Sequence, residues 1–430
     1  MPVHRLLLAT SLLGCLPLLA GSTIPGVAAS AAPDSTATGL LLGKFPGASA
    51  YDRIWSAFTL YKDEDNQVLE EFALQGRLQL QYADGHSNDG HFDIQDFKNG
   101  SAANRQSVFG DRFEDRRTQF GFKSKWFQNW KLDGQIDVDV TDGASNLYRD
   151  IYDLYLTYAP SDKLNISLGK REVTLGREYE ISSKEILTFE RSMVTGALFV
   201  GNLTGAWVQG KGLADHWLYE AGIYSNDRVR EFSDFNHGII TSGKIGYDYS
   251  DNLHLDTAVV SLQYLHNSEP GYRGHDDGVY FASASPAFTD SIALSNEMTQ
   301  GRFGLTTDIL YGFGYQGRAE QSGVTKTLNQ SDLFGITIIP SYFIADGLQL
   351  VGRLQFATAT DPNGLSLPGR YEAFSQTTDK KGNTYTSLYA GLNYYLYGHK
   401  LKLMNGIEYS HLGGGDYDGY TFLSGLRFSF

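Results

Sequence analysis

From Phe72 onward the hydrophobic and polar positions of the chain alternate with a period of two. Leu74, Gly76, Leu78, Leu80 and Tyr82 interleave with Gln75, Arg77, Gln79 and Gln81. Trp130, Leu132, Gly134, Ile136, Val138 and Val140 do the same with Lys131, Asp133, Gln135, Asp137 and Asp139. Successive side chains of a strand point to opposite faces, so each such segment has one apolar and one polar face. Many runs reach the ~9–11 residues that a tilted strand needs to cross a bilayer, against about five or six in a typical globular strand. The pattern predicts strands over 72–82, 116–127, 129–140, 150–159, 164–172, 202–212, 216–226, 238–249, 253–266, 290–299, 302–315, 331–343, 347–358, 384–397, 400–411 and 419–430. That is about sixteen, an even number, as single-chain bacterial barrels have.

The connections alternate in length. Tight links fall at Gln128-Asn129, Pro160–Lys163, Leu213–Asp215, Ser250–Asn252, Ala345–Gly347 and Gly398–His399. Long ones lie between them, among them Ala83–Asp115, Val173–Gly201, His266–Thr289 and Ala359–Asn383. Short periplasmic turns against long extracellular loops are the habit of outer-membrane barrels. Parity agrees: if the strand at Phe72 runs upward, the last runs down and ends at Phe430. The apolar piece Val279–Phe288 is assigned to a loop, because one more strand would break that parity. The final strand sets Tyr420, Phe422, Leu426, Phe428 and terminal Phe430 on it, an aromatic ending like the sorting signal of such barrels. The fold expected is therefore all-β, a transmembrane antiparallel β-barrel of the Gram-negative outer membrane.

Composition changes the picture in three places. Mean hydropathy is −0.29, which reads as soluble; a barrel reads the same way, because only alternate residues meet lipid. Arg5 ahead of the apolar run Leu6–Ala20, then Val27-Ala28-Ala29, predicts a signal peptide over 1–29. The alternative is a lipoprotein acylated at Cys15, and Leu13 directly before Gly14 fits that pattern poorly. Cys15 is the one cysteine, so with the leader removed no disulfide framework can form. The net charge of −14 argues against nucleic acid, which needs a concentrated basic surface. Residues 30–71 lack alternation and read as a periplasmic N-terminal arm, with a short amphipathic helix at Tyr51–Leu60 and acidic Asp63-Glu64-Asp65, ahead of a barrel over 72–430.

The polar faces carry Arg77, Arg117, Lys123, Lys125, Lys131, Arg171, Lys244, Arg302, Arg353, Lys402 and Arg427. They also carry Asp133, Asp137, Asp139, Asp153, Asp248, Asp308 and Glu408. The excess is modestly basic although the chain is acidic, and basic rings favour anions. An Arg or Lys on the lipid face near the midplane costs ~2–4 kcal/mol, so these side chains are expected to point inward. The bland alternative is that they pair in cross-strand ladders, for which Lys131 beside Asp133 and Asp137 is well placed. The loop Asp84–His91 has one glycine out of step with a calcium-binding loop and is read as an ordinary polar loop. No metal and no cofactor is expected.

Gly76-Arg77-Leu78-Gln79, Arg116-Arg117 through Phe120-Gly121-Phe122-Lys123, and Leu168-Gly169-Lys170-Arg171 together resemble the phosphate-selective porin O and P family. The likeness continues through Leu187-Thr188-Phe189-Glu190-Arg191-Ser192, Gly304-Leu305-Thr306-Thr307-Asp308 and Gly391-Leu392-Asn393-Tyr394-Tyr395. It implies a sixteen-stranded barrel, a homotrimer, a third loop folded into the lumen, and basic residues that guide anions. The third loop is Val173–Gly201, a candidate constriction carrying Arg177, Lys184 and Arg191 beside Glu178, Glu180, Glu185 and Glu190, with Lys170 and Arg171 just below it. Its alternative is a solvated surface loop with internal ion pairs.

The function expected is passive diffusion of small hydrophilic solutes across the outer membrane with a preference for anions, phosphate among them; the alternative is a weakly selective general porin. The partners expected are outer-membrane lipid and lipopolysaccharide, and small anionic or hydrophilic solutes. A barrel enzyme needs a nucleophile beside a base; His216, His254 and His411 lie near serines in predicted strands, yet no G-x-S-x-G, Walker or zinc motif is present. An energised transporter needs a plug domain and about twenty-two strands, more than this length holds. A soluble secreted β-protein is the remaining alternative, and detergent-dependent extraction separates it from a barrel.

Overall fold

The computed structural model describes residues 50–92, 113–139 and 147–430, apart from 213, 229–230, 234, 236–237, 271–274, 277–278, 281–286, 316–317, 322–323, 328–330 and 369. The expected leader, 1–29, and the first part of the arm lie outside the described residues. Sixteen strands form one closed antiparallel barrel. They are β1 (Leu69–Ser87), β2 (Phe113–Trp126), β3 (Trp130–Val138), β4 (Tyr148–Ser161), β5 (Leu164–Val173), β6 (Gly201–Lys211), β7 (Trp217–Ser225) and β8 (Ile239–Asp248). There follow β9 (Thr257–Asn267), β10 (Phe288–Gln300), β11 (Phe303–Tyr315), β12 (Leu333–Ala345), β13 (Leu348–Ala359), β14 (Thr384–Tyr397), β15 (Leu401–Gly413) and β16 (Tyr417–Ser429). Each pairs with the next, and β1 pairs with β16 from Arg77↔Ser429 to Ser87↔Gly419, which closes the ring and leaves no barrel edge unpaired.

Every predicted strand coincides with an observed one. Of the apolar piece Val279–Phe288 assigned to a loop, Val279–Tyr280 pairs with His275–Asp276 off the barrel, Phe288 begins β10, and residues 281–286 lie outside the described residues. Alternation is the cause: on β13 the odd partners Val351, Arg353 and Gln355 are buried and face inward, while Leu350, Leu354 and Phe356 stand exposed. The outward face is banded. Trp130, Trp217, Phe303, Tyr342 and Tyr394 are exposed near the short-turn end, and Phe113, Tyr148, Tyr264, Tyr311 and Tyr420 near the long-loop end. Between them lie aliphatic Ile166, Leu168, Ile245, Leu262, Leu294 and Leu354. Two aromatic girdles flanking an apolar belt match the two interfaces and core of a bilayer. One link departs from the alternation of lengths: β15 and β16 join by a tight turn at the long-loop end, where Gly414 takes φ 82.

The arm forms helix α1 (Ala50–Ser56) and a short strand Thr59–Lys62. The helix ends earlier than its amphipathic pattern suggested, because Thr59, Tyr61 and Lys62 pair with Ala73, Phe72 and Glu71 below the point where β16 stops. That piece of β1 would otherwise be a bare edge. Trp55 fixes the helix, its indole Nε1 donating to the Ser429 carbonyl at 2.7 Å among Tyr397 and Phe428.

Candidate functional site

The segment between β5 and β6 turns into the barrel rather than over its rim. Gly176 begins the turn with φ 81, a left-handed backbone that glycine adopts without strain. The next two amides, of Arg177 and Glu178 at the start of α2 (Arg177–Glu180), donate to the Asp308 carboxylate of β11 at 2.7 Å each. The chain then crosses to the opposite wall with its carbonyls facing wall donors. Ser183 accepts from Gln79 of β1 (2.8 Å), Ile186 from Lys402 of β15 (2.7 Å), and Leu187 from Asn393 of β14 (2.9 Å). Phe189 accepts from Arg427 of β16 (3.2 Å) and Glu190 from Arg353 of β13. Buried cations and amides require acceptors, and the loop backbone supplies them.

Helix α3 (Met193–Ala197) completes the loop by apolar packing. Ser192 caps it, and the Glu178 carboxylate accepts from the Ser192 amide (2.9 Å) and the Thr195 hydroxyl (2.8 Å). Two inward wall positions opposite the helix region are glycine. A Cβ at Gly312 would stand 2.4 Å from Leu198 Cδ2, and one at Gly335 would stand 2.5 Å from Val194 Cγ2. The wall is hollowed where the loop sits.

The predicted cations divide into three groups. Arg353 and Arg177 are paired: Arg353 is 2% exposed, with Nη2 2.8 Å from Glu408 and Nη1 3.4 Å from Glu178, and Arg177 Nε stands 2.9 Å from Glu297. Arg171 pairs with Glu220 and the Tyr224 hydroxyl, its guanidinium 4.3 Å from the Trp207 ring centroid. A second group bonds to neutral atoms. Arg77 reaches Ser183 and Gln135, and Arg191 donates to the carbonyls of Glu178, Tyr179 and Ile181 over the Tyr179 ring. Lys184 stands apart from this group, donating to the Phe430 oxygen at 3.4 Å. Arg117 belongs between the two, 2.9 Å from Gln79 and 3.9 Å from Glu190. The third group, Lys123, Lys125 and Lys131, lies toward the short-turn mouth, where Lys125 meets Glu70 at 2.8 Å and Lys125 and Lys131 face each other in register.

Lys170 does not join the lumen set. It follows Gly169 and precedes Arg171 on β5, and it pairs with Thr204 on the face shared by outward Leu168, which is 65% exposed. Its ammonium lies 3.7 Å from Glu231 of the β7–β8 loop, which folds over the outer rim. Adjacent strand residues cannot both face inward without a bulge.

Such a bulge does bring in a residue that alternation left out. Gln79 pairs with Arg117 but Leu80 with Asp115, so Arg116 is an extra residue on β2. Both arginines thereby reach the Glu190 carboxylate, Arg116 with Nε at 2.6 Å and Nη2 at 2.8 Å. The signal available beforehand was the doublet Arg116-Arg117 breaking the period of two. Lys402 and Arg427 also belong here, in one cross-strand row with Gln79 and Arg117 (Lys402↔Arg427, Arg427↔Gln79, Gln79↔Arg117). The β13–β14 loop contributes Arg370 and Tyr371, both bonded to Glu114, which no strand pattern announces.

Electrostatics follow from the pairing. Burial would raise the Glu190 carboxyl, but Arg116, with Arg117 and Arg370 behind it, holds it well below the usual carboxylate range. Burial pushes the Lys184 ammonium down to about 8, and Arg77 and Lys123 add to the shift. His86 packs edge-on to His91, on the outer side with Tyr420, whereas His399 Nδ1 stands 3.3 Å from Lys402 Nζ. Among the described residues no group of three His, Cys, Asp or Glu side chains could hold a metal ion.

Residues 87–412 match the family described as phosphate-selective porin O and P. The chain belongs to this family. It is accordingly an outer-membrane porin, a channel protein by family. Solved structures of the same fold include OmpT of Vibrio cholerae, 12% identical, covering 85% of this chain and 100% of that one with a TM-score of 0.51. A trimer form of OmpT is 13% identical, with 84% and 99% covered and a TM-score of 0.50. OmpF of Salmonella typhi, in complex with daunomycin, is 13% identical, covering 86% and 100% with a TM-score of 0.54. No curated protein matches the chain. At these identities the likeness concerns the barrel, and the porin's selectivity has to be argued from its own lumen.

Proposed function

We infer that this porin passes small hydrophilic solutes by diffusion and prefers anions, with the β5–β6 loop as its constriction. One observation carries the preference. Arg427, Lys402, Arg191 and Arg77 converge on one side of the lumen, and their hydrogen bonds go to uncharged oxygens: Gln79, Gln81, Phe189 and Ile186 among them. Hydrogen bonding to neutral oxygens satisfies each donor without placing a counter-charge on it, which favours a positive potential on this side of the lumen. Phosphate is a natural member of the anion class, since guanidinium forks match its oxygens.

A weakly selective general porin is the second reading, favoured by the pairs Arg353–Glu408, Arg177–Glu297 and Arg171–Glu220, which leave no net charge. Current through single channels under a salt gradient separates the two. The expected reversal potential shows anion preference, and Arg191→Glu moves it toward cations; cation preference in the native channel defeats the anion reading. Phosphate added to a chloride solution should reduce the current if it dwells among the arginines. The expected homotrimer and lipopolysaccharide contacts remain part of this proposal, to be read from native mass and lipid content in mild detergent.

A further inference from the structure

The β13–β14 loop, residues 360–383, enters the barrel mouth from the side opposite β5 and β6, the strands that carry the β5–β6 loop. Leu365, Leu367 and Tyr371 are buried with Tyr385, Leu412 and Tyr417 of the inner wall. Its tip meets Glu114 of β2, and through Gln81 it is linked to Glu190 of the β5–β6 loop. Arg370 Nη1 is 2.5 Å from Glu114 Oε2, and the Tyr371 hydroxyl donates to Glu114 Oε1 at 2.5 Å. Gln81 Nε2 then joins the two loops, reaching Tyr371, Glu114 (2.9 Å) and Glu190 of the β5–β6 loop (3.0 Å). Away from the lumen, Thr377 Oγ1 donates to Asp89 Oδ2 at 2.6 Å and to the Asp416 carbonyl at 2.7 Å.

We propose that the passage is narrowed by two loops clasped together, and that Arg370 and Tyr371 are specificity-determining residues that set its width by holding the β13–β14 loop against Glu114 and Gln81. The geometry favours a clasp over a passive rim. A rim loop meets only water, whereas this one places a phenol and a guanidinium on a buried carboxylate that belongs to a different strand, β2. The bonds are charge-assisted, the strongest kind available here. They act beside the apolar packing of Leu365, Leu367 and Tyr371, so losing one loosens the loop tip and leaves the barrel wall in place. The inference rests on the diffusion reading of the channel.

The test compares full-length native protein with Arg370→Gln, Tyr371→Phe and Thr377→Val, each checked for barrel folding by its heat-modifiable gel mobility. Thr377→Val loosens the loop without altering lumen charge, so a shared effect of all three cannot be a charge effect. Loss of one such bond should raise hydrogen exchange of amides 365–375 about tenfold. Single-channel conductance should rise in the same order. Native protein that carries no current defeats the diffusion reading, and the exchange measurement still judges the clasp. Folded variants with native exchange overturn the clasp; so do faster-exchanging variants whose native channel conducts and whose conductance stays unchanged.

Discussion

Lys184 shows how much a single residue in the lumen depends on its surroundings. It sits on the inward loop, bonded to one oxygen of Phe430, with Arg77 and Lys123 adding repulsion to the penalty of burial. Both effects disfavour the charged form, so the proton leaves near pH 8 rather than in the usual lysine range. Below that pH the side chain contributes positive charge to the constriction, and above it does not. Anion preference should therefore decline as pH rises through about 8. In Lys184→Arg the decline should vanish, because a guanidinium keeps its proton far above this range. Reversal potentials taken at pH 6, 7, 8 and 9 (about one unit apart, which spans a single titration) decide it, and a flat native profile rules Lys184 out of the selectivity path. Arg191 makes the contrasting case. Its guanidinium is held by three backbone carbonyls of its own loop, so reversing its charge removes loop bonds as well as lumen charge. Selectivity and folding have to be read together for that residue.

At the scale of elements, the central question is what keeps the β5–β6 loop inside. Wall glycines answer it: Gly335 leaves room for Val194, and Gly312 for Leu198. Gly335→Val should push α3 off the wall, costing ~1–3 kcal/mol as an overpacked contact does, with a lower heat-modification temperature and a wider channel. Unchanged thermal behaviour and conductance would show that the loop has room to spare. The strands that carry these glycines were legible in the sequence because a lipid-facing side and a water-facing side impose opposite chemistry on alternate residues of every strand. Loops feel no such rule, so Val173–Gly201 could be named as the inward loop only by resemblance, and the entry of residues 360–383 left no trace in the pattern. The lumen residues were legible to the same limit. Arg77, Arg353, Lys402 and Arg427 followed the period of two, Arg116 escaped it through the bulge, and Lys170 was misplaced because its charge suggested a lumen its backbone parity denies.

For the whole molecule, the net charge of −14 and the basic side of the lumen are compatible because selectivity depends on where charge stands, not on its sum. The same separation of inside from outside governs folding. A soluble β-protein hides its apolar face and shows water its polar one; this barrel reverses the arrangement. Leu354, 51% exposed at the middle of β13, is the sharpest place to see the difference, since its neighbour Arg353 is fully buried inside. On a water-facing surface, Leu354→Arg would be close to neutral, as exposed leucines on soluble proteins are. Facing lipid at mid-height, an added arginine should cost ~2–4 kcal/mol. The variant should therefore fold poorly into bilayers and lose its heat-modifiable band, while Asp346→Arg, at the exposed short turn after β12, should fold as the native protein does. Equal folding yields for the two variants would mean that the belt of Leu262, Leu294 and Leu354 does not meet hydrocarbon. The inward assignment of every charged residue in the lumen would then lose its physical basis.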